Sequence, residues 1–257
     1  MHSLCVDQRR TMTTPYRVKK ANVLHYLPAS EYHPADTFFH FSFANYYDPD
    51  NMNFGVLRVI NDDNVKPHHG FNRHPHKDME IVSYIIDGKL THWDSATREE
   101  DVLERGHVQA ITAGKGVWHS ELNNDDDWCR FLQIWIIPPA QGLEVRYRNH
   151  KFTAKDRRNR LLHIVGSISN GDAPLLLNQD VNMYASELVD TDHKVTFELK
   201  EGRQAYINNV EGSLTVNEIG TLDERDSLEI CGPTTLTFRA TTEHSHFIVI
   251  EMPESGV

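Results

Sequence analysis

Two short motifs each place two metal-binding residue types two positions apart. Histidines flank a proline in His74-Pro75-His76, and a histidine and a carboxylate flank a serine in His119-Ser120-Glu121. In an extended segment, residues i and i+2 point to the same side, so each motif can direct both side chains at one point. On facing strands, the two motifs would bring together three neutral imidazoles and one carboxylate. This set suits Fe, Mn, Ni, Cu, Co or Zn, and the sequence leaves the identity of the divalent ion open.

The residues around both motifs strengthen this interpretation, because a lone H-x-H pair is weak in a chain with 16 histidines. Residues 70–80 begin with a glycine, continue with the H-x-H pair and end with Glu80, and the turn Asp87-Gly88 follows. Residues 106–123 contain a glycine-rich turn, then His119, then an asparagine four positions later. This order resembles the two sequence motifs of the cupin superfamily.

A closer resemblance is to the pirin family, and within it to bacterial members similar to quercetin 2,3-dioxygenase. It covers most of the first half of the chain strongly and continues weakly through the second half. The motifs occur in order and at the spacing of the family. The segments that carry the resemblance are residues 37–49, 57–63, 74–80, 116–121 and 133–136.

The resemblance implies an all-β bicupin, with two β-sandwich or jelly-roll barrel domains. The N-terminal barrel would bind one divalent transition metal, and the C-terminal barrel would have lost its site. Carried over position by position, the implied metal ligands are His74, His76, His119 and Glu121. Glu80 occupies a position that many cupins use as a ligand and that pirins do not.

The activity implied by the resemblance is the O2-dependent opening of the central ring of a flavonol such as quercetin, with release of carbon monoxide. Glu121 is the candidate base for the 3-hydroxyl proton. An apolar wall for a flat substrate could come from five residues, for which ordinary core packing is the competing interpretation: Phe38, Phe41, Phe43, Phe71 and Met79. The alternative function is that of a metal- or redox-sensing pirin without catalysis, which binds a protein partner.

Several other histidines compete weakly for a metal. His68 and His69 are adjacent and would face opposite sides of a strand. His92 could reach the pocket, although an exposed or packed position is the stronger expectation. His244 and His246 repeat the i, i+2 spacing, but no third histidine is placed as His119 is. We therefore expect one metal site.

The elements that must position these residues are short strands. Stretches with period-two alternation recur almost throughout the chain and are separated by turn residues, which is typical of a sandwich or barrel. Residues 86–91 and 210–215 form a faint internal repeat, each a strand, an acid-glycine turn and a returning strand. Together with the resemblance, which implies the two cupin domains, this predicts a disordered N-terminal extension over 1–14, a metal-binding cupin domain over 15–145, a connector over 146–180 and a degenerate cupin domain over 181–257.

Composition excludes several classes of function. The 26 basic and 37 acidic side chains give a formal charge of −11 without a basic cluster suited to a phosphate backbone, so nucleic acid is not an expected ligand. The apolar runs are too short for a membrane span. Three scattered cysteines suggest a reducing, cytoplasmic location. The similarity begins after Thr14, so translation could start at Met1 or at Met12.

Overall fold

Strands account for most of the chain in the computed structural model, which describes residues 16–169, 171–217 and 219–254. The predicted extension over 1–14 lies outside these residues. Two short helical turns accompany the strands, the 3-10 turn Ala21–Val23 and the α-helix α1 (Ala154–Arg157). The strands are β1 Tyr16–Lys19, β2 His25–Leu27, β3 Ala35–Phe39, β4 Leu57–Val65, β5 His69–His76, β6 Glu80–Asp87, β7 Lys89–Asp94, β8 Glu100–Glu104, β9 His107–Thr112, β10 Val117–Asn123, β11 Cys129–Ile136, β12 Arg146–Lys151, β13 Leu162–Ser167, β14 Leu175–Leu177, β15 Asn182–Leu188, β16 Lys194–Leu199, β17 Arg203–Val216, β18 Gly220–Leu222, β19 Ser227–Cys231 and β20 Thr234–Pro253. The predicted all-β class is confirmed.

The described residues divide into two compact units. The N-terminal unit comprises His25–Thr153 together with the short segment Leu175–Gln179, and the C-terminal unit comprises the other described residues. These limits describe the packing of the chain, and the predicted domain boundaries stay a prediction. Within the described residues, no helix has the length and apolar character needed to cross a membrane.

Two antiparallel sheets build the N-terminal unit. A seven-stranded sheet has the order β12-β9-β6-β11-β4-β3-β2, and a four-stranded sheet has the order β5-β10-β7-β8. Strand β6 lies inside the larger sheet, and every residue from Glu80 to Ile86 is buried, including the polar residues Glu80 and Ser83. Apolar clusters around Phe131 and around Ile111 fill the space beside the strands. The smaller sheet carries both metal-ligand motifs.

The C-terminal unit is built on one antiparallel sheet in which β1, β19, β17, β20, β15 and β13 follow one another. Strand β16 pairs with β20 and alternates exposed and buried residues, with Val195, Phe197 and Leu199 turned inward. These side chains join a large apolar cluster with Leu236 and Phe238. The interior of this unit is therefore filled by apolar side chains.

The internal repeat has a structural counterpart. Gly88 and Gly212 each follow the acidic residue of the repeat, and their φ angles are +72° and +70°. A Cβ atom would lie 2.4 Å from the Trp128 carbonyl oxygen at Gly88 and 2.0 Å from the His244 carbonyl oxygen at Gly212. Gly88 lies between β6 and β7, as predicted, whereas Gly212 lies within β17, next to a shift in its register with β20, and not at a turn between two strands. Glycine is required at both positions because the backbone is left-handed and another chain segment lies against it.

Candidate metal centre

Strands β5 and β10 bring the two sequence motifs side by side. They pair antiparallel, with His119 opposite His74 and Val117 opposite His76. A bulge shifts the register between His119 and Glu121. The approach is close, since a Cβ atom on Gly70 would lie 2.4 Å from the Glu121 carbonyl oxygen. The glycine that opens the first motif thus allows β5 to lie against β10.

Three imidazoles converge at this strand pair. The ring centres of His74 and His119 are 4.5 Å apart, those of His76 and His119 are 4.7 Å apart, and those of His74 and His76 are 4.8 Å apart. One ligand-type nitrogen of each lies within 4.8 Å of the others. The Nε2 atoms of His74 and His119 are 3.0 Å apart. Neutral imidazoles that face a common point suit a divalent transition metal.

The protonation of these histidines fits a metal site. The Nδ1 atom of His74 lies 2.7 Å from the Asn72 carbonyl oxygen, which can only accept, so Nδ1 carries the proton and Nε2 keeps a lone pair. Burial, the largest cause, and the charges of neighbouring histidines together lower the pKa of His76 and of His119 to about 3. Both side chains are therefore neutral near pH 7, which is the form that binds metals.

Glu121 is fully enclosed and takes part in a hydrogen-bond network. Its Oε1 atom accepts hydrogen bonds from Ser83 Oγ (2.7 Å) and Gln109 Nε2 (2.9 Å). Its Oε2 atom accepts a single hydrogen bond, from Gln133 Nε2 (2.6 Å). The carboxylate groups with His92 and His119, whereas His74 and His76 group with His119 alone. His119 is common to both groups, and ligation of a metal by Glu121 stays a prediction.

The structure also places a buried histidine and a buried carboxylate beside the site. His92 is 1% exposed and Asp94 is 0% exposed, and His92 Nε2 lies 3.2 Å from Asp94 Oδ2. The rings of His92 and His119 have centres 5.5 Å apart. The sequence left it open that His92 could reach the pocket and favoured an exposed or packed position, and His92 is packed. The segment His92-Trp93-Asp94 has the same i, i+2 spacing as the two ligand motifs.

An aromatic contact borders the imidazoles. Trp135 meets the edge of His76 at 4.8 Å between ring centres, and Phe43 meets Trp135 at 5.1 Å. The indole Nε1 atom of Trp135 is enclosed and has no hydrogen-bond partner. Phe43 was predicted as a pocket residue and Trp135 was not. Trp135 shares one strand face with Gln133 because the two are two residues apart on β11.

The other four pocket candidates make different contacts. Phe41 is fully buried, and Phe38 packs against Tyr26 at 4.8 Å between ring centres. Phe71 packs on the apolar cluster around Phe131, and Met79 packs on the cluster around Ile111. Phe41, Phe71 and Met79 thus make core contacts, whereas Tyr26, the partner of Phe38, is 47% exposed, and a substrate wall that includes these four residues stays a prediction.

Glu80 has partners of its own, away from the imidazoles. Its carboxylate accepts hydrogen bonds from Thr112 Oγ1 (3.1 Å), from the Asn178 backbone N–H (2.7 Å) and side chain (2.8 Å), and from the Gln179 N–H (2.9 Å). Glu80 therefore anchors the segment Leu175–Gln179 to the N-terminal unit.

The remaining histidine pairs bind acidic residues. His68 Nε2 contacts Asp126, His244 Nε2 contacts Glu187 at 2.7 Å, and His246 Nδ1 contacts Glu211 at 2.9 Å. In the part of the C-terminal unit that the structure describes, no three histidine, cysteine or acidic side chains are grouped closely enough to hold a metal.

Comparison with known proteins finds pirin and quercetinase families. A family model described as Pirin matches residues 20–136, and a model described as quercetinase C-terminal cupin domain matches residues 164–252. Quercetin 2,3-dioxygenase of Escherichia coli K12 is 35% identical over 219 residues, which cover 85% of this chain and 91% of that protein. A pirin-like protein of Caulobacter vibrioides is 34% identical over 212 residues, which cover 82% of this chain and 90% of that protein.

A solved structure extends the match to the whole fold. The crystal structure of the bacterial pirin YhhW from Escherichia coli in complex with nickel(II) superposes with a TM-score of 0.82 at 30% identity. The superposition covers 93% of this chain and 99% of that chain. The predicted bicupin architecture is thereby confirmed, and the chain belongs to the pirin family.

Proposed function

We propose that this pirin is a metal-dependent dioxygenase that opens the central ring of flavonols such as quercetin and releases carbon monoxide. The observation that carries the proposal is the convergence of three imidazoles, those of His74, His76 and His119, beside an enclosed carboxylate and an aromatic wall. A relative named quercetin 2,3-dioxygenase, 35% identical to this chain, supports the choice of substrate class.

His74, His76, His119 and Glu121 would hold one divalent ion of Fe, Cu, Ni, Mn, Co or Zn. The donor set fits such an ion, because His76 and His119 are neutral and the Nε2 atoms of His74 and His119 already face each other at 3.0 Å. When bound, the ion lowers the pKa of a hydroxyl group that coordinates it and offers a coordination position to the substrate.

Glu121 would receive the proton of the flavonol 3-hydroxyl. Its Oε2 atom accepts one hydrogen bond, from Gln133, and so has a further lone pair available. The donors Ser83 and Gln109 hold the other oxygen and fix the orientation of the carboxylate. A carboxylate held at hydrogen-bond distance is suited to this proton transfer.

Trp135 and Phe43 would hold the flat substrate. Their rings form a wall beside His76. In the overall reaction, one flavonol and one O2 give one ring-opened ester and one carbon monoxide. Two carbon–carbon bonds of the central ring break, and both oxygen atoms of O2 enter the ester.

The test is the loss of the quercetin absorbance band together with detection of carbon monoxide, in air and under nitrogen. Protein is loaded separately with Fe, Cu, Ni, Mn and Co. We expect oxygen-dependent turnover with at least one metal and none from His76→Ala protein treated in the same way. Protein that retains metal and yet shows no oxygen-dependent turnover with any of these ions would contradict the proposal and favour the regulatory alternative.

A further inference from the structure

Two imidazole nitrogens beside the candidate metal centre have no partner. The Nδ1 atoms of His92 and His119 are both enclosed, and neither makes a hydrogen bond to a protein atom. The rings have centres 5.5 Å apart at an angle of 57°, and ligand-type atoms of His92, His119 and Glu121 lie within 4.8 Å of one another. Because buried polar atoms are nearly always paired, two such atoms on neighbouring rings indicate a shared role.

The protonation of His92 is fixed by Asp94. The Oδ1 atom of Asp94 accepts hydrogen bonds from the backbone N–H groups of Ala96 (2.7 Å) and Thr97 (2.8 Å), and Oδ2 accepts one from Thr97 Oγ1 (3.0 Å). His92 Nε2 also lies 3.2 Å from Oδ2 and must donate to it. The neutral His92 ring therefore has its proton on Nε2 and a lone pair on Nδ1.

Tyr147 fixes the orientation of the same ring. It stacks on His92 with 4.7 Å between ring centres and an angle of 2° between the planes. The lone pair of His92 Nδ1 is thus held in one direction inside the N-terminal unit.

The proton of His119 must change position when a metal binds. Since His74 Nε2 carries a lone pair, His119 Nε2 must donate to it across 3.0 Å when no metal is bound. A metal ligand needs a lone pair on Nε2, so metal binding requires the proton of neutral His119 to lie on Nδ1. The resulting Nδ1–H group of His119 is buried and needs a hydrogen-bond acceptor.

We propose that His92 is a positioning residue for His119, its Nδ1 atom accepting the Nδ1 proton that His119 carries when its Nε2 atom binds a metal. This inference rests on the metal site of the proposed function. A chain of hydrogen bonds then runs from Asp94 through His92 to His119, the ring of which carries the metal-binding nitrogen. The bond between His119 and His92 is direct or passes through one water. Outer partners of this kind orient ligands and raise metal affinity.

Two variants test this role in different ways. His92→Phe keeps an aromatic ring against Tyr147 and removes the acceptor. In Asp94→Asn, the Ala96 and Thr97 N–H groups hold the amide oxygen, so the amide nitrogen replaces Oδ2 and donates to His92 Nε2. The His92 proton then moves to Nδ1, which can no longer accept. Thr91→Ala, on the same strand and the opposite side of the sheet, is the matched control.

Zinc is the probe, because it is diamagnetic and needs no substrate. Its dissociation constant is measured by competition with a chromophoric chelator, and long-range 1H–15N spectra identify the protonated nitrogen of His119. We expect the proton on Nε2 without zinc and on Nδ1 with zinc. His92→Phe and Asp94→Asn should each weaken zinc binding about 10- to 100-fold, and Thr91→Ala should change it less than about twofold.

The results of these measurements distinguish a failure of the proposed role of His92 from a failure of the proposed metal site. Equal zinc affinity in the unchanged protein, His92→Phe and Asp94→Asn would overturn the role of His92 and leave the metal site intact. A His119 proton that stays on Nε2 in the zinc-bound protein would also overturn it. Failure of the unchanged protein to bind zinc would overturn the metal site and this inference together.

Discussion

The Nε2 atoms of His74 and His119 lie 3.0 Å apart, on strands that pair with these two residues opposite each other. His74 is held by its Nδ1–H bond to Asn72, so without a metal the two Nε2 atoms share one proton. A metal that replaces this proton would find two ligands already in place. The site is preorganised by the pairing of β5 and β10.

Loss of one ligand should lower the amount of bound metal. We expect His76→Ala and Glu121→Ala each to reduce metal content below one equivalent per chain, because each removes one donor of the predicted set. Metal content is measured by elemental analysis after loading and gel filtration. Unchanged content in both variants would rule out the site. A second equivalent that survives both changes would point instead to His244 and His246.

Glu80→Gln should lower stability without removing the metal. The Glu80 carboxylate accepts hydrogen bonds from Asn178, Gln179 and Thr112, and an amide loses part of this set. A hydrogen bond to a buried charged group contributes about 1.5–3 kcal/mol, and we expect a loss of that size in the free energy of unfolding. Urea denaturation measures it. A fall in metal content would instead make Glu80 a ligand, as in many other cupins.

Gly70→Ala should separate the two motif strands. Its Cβ would lie 2.4 Å from the Glu121 carbonyl oxygen and 2.6 Å from Leu122 Cα, so β5 must move away from β10. Overpacking of this kind typically costs about 1–3 kcal/mol, and we expect metal affinity to fall as well. Asn72→Ala, an exposed change on the same strand, is the control. If both variants bound metal equally well, the close approach at Gly70 would not matter to the site.

Asp63 should make stability depend on pH. Burial raises the pKa of Asp63 to about 7, with further contributions from the charges of Asp62 and Glu121, while the hydrogen bond from Thr37 opposes the rise. Between the ordinary pKa near 4 and about 7, the folded protein holds a proton that the unfolded chain has released. This contribution to the free energy of unfolding therefore falls as pH rises through the window.

Asp63→Asn removes this titration. In metal-free protein, the stability of the variant relative to the unchanged protein should increase from pH 5 to pH 7, by up to about 1.4 kcal/mol per pH unit. Urea denaturation at both pH values gives the difference. A difference that did not change with pH would show that Asp63 titrates normally.

Most of the fold can be predicted from the sequence because strands and turns are recognised from residues close together in the chain. Period-two alternation identifies strands such as β16, and the acid-glycine pair at Gly88 identifies a turn that requires a left-handed residue. The convergence of His74, His76 and His119 also follows from local spacing once the two strands are taken to face each other.

The rest of the site depends on strand pairing over long distances, which local patterns do not encode. His92 is buried because β7 pairs with β10, opposite Glu121. Gln109 and Gln133 reach Glu121 from β9 and β11, and Trp135 reaches His76 from β11. Histidine and glutamine are common on exposed strands, so only the register shows that His92, Gln109 and Gln133 lie inside.

The central claim is that the metal-loaded protein inserts both atoms of O2 into a flavonol. The most direct test is turnover of quercetin under 18O2, with mass spectrometry of the ring-opened product and detection of carbon monoxide. We predict a product heavier by two labelled oxygen atoms and unlabelled carbon monoxide, and no product from His76→Ala protein. A ring-opened product with one labelled atom or none would contradict the account.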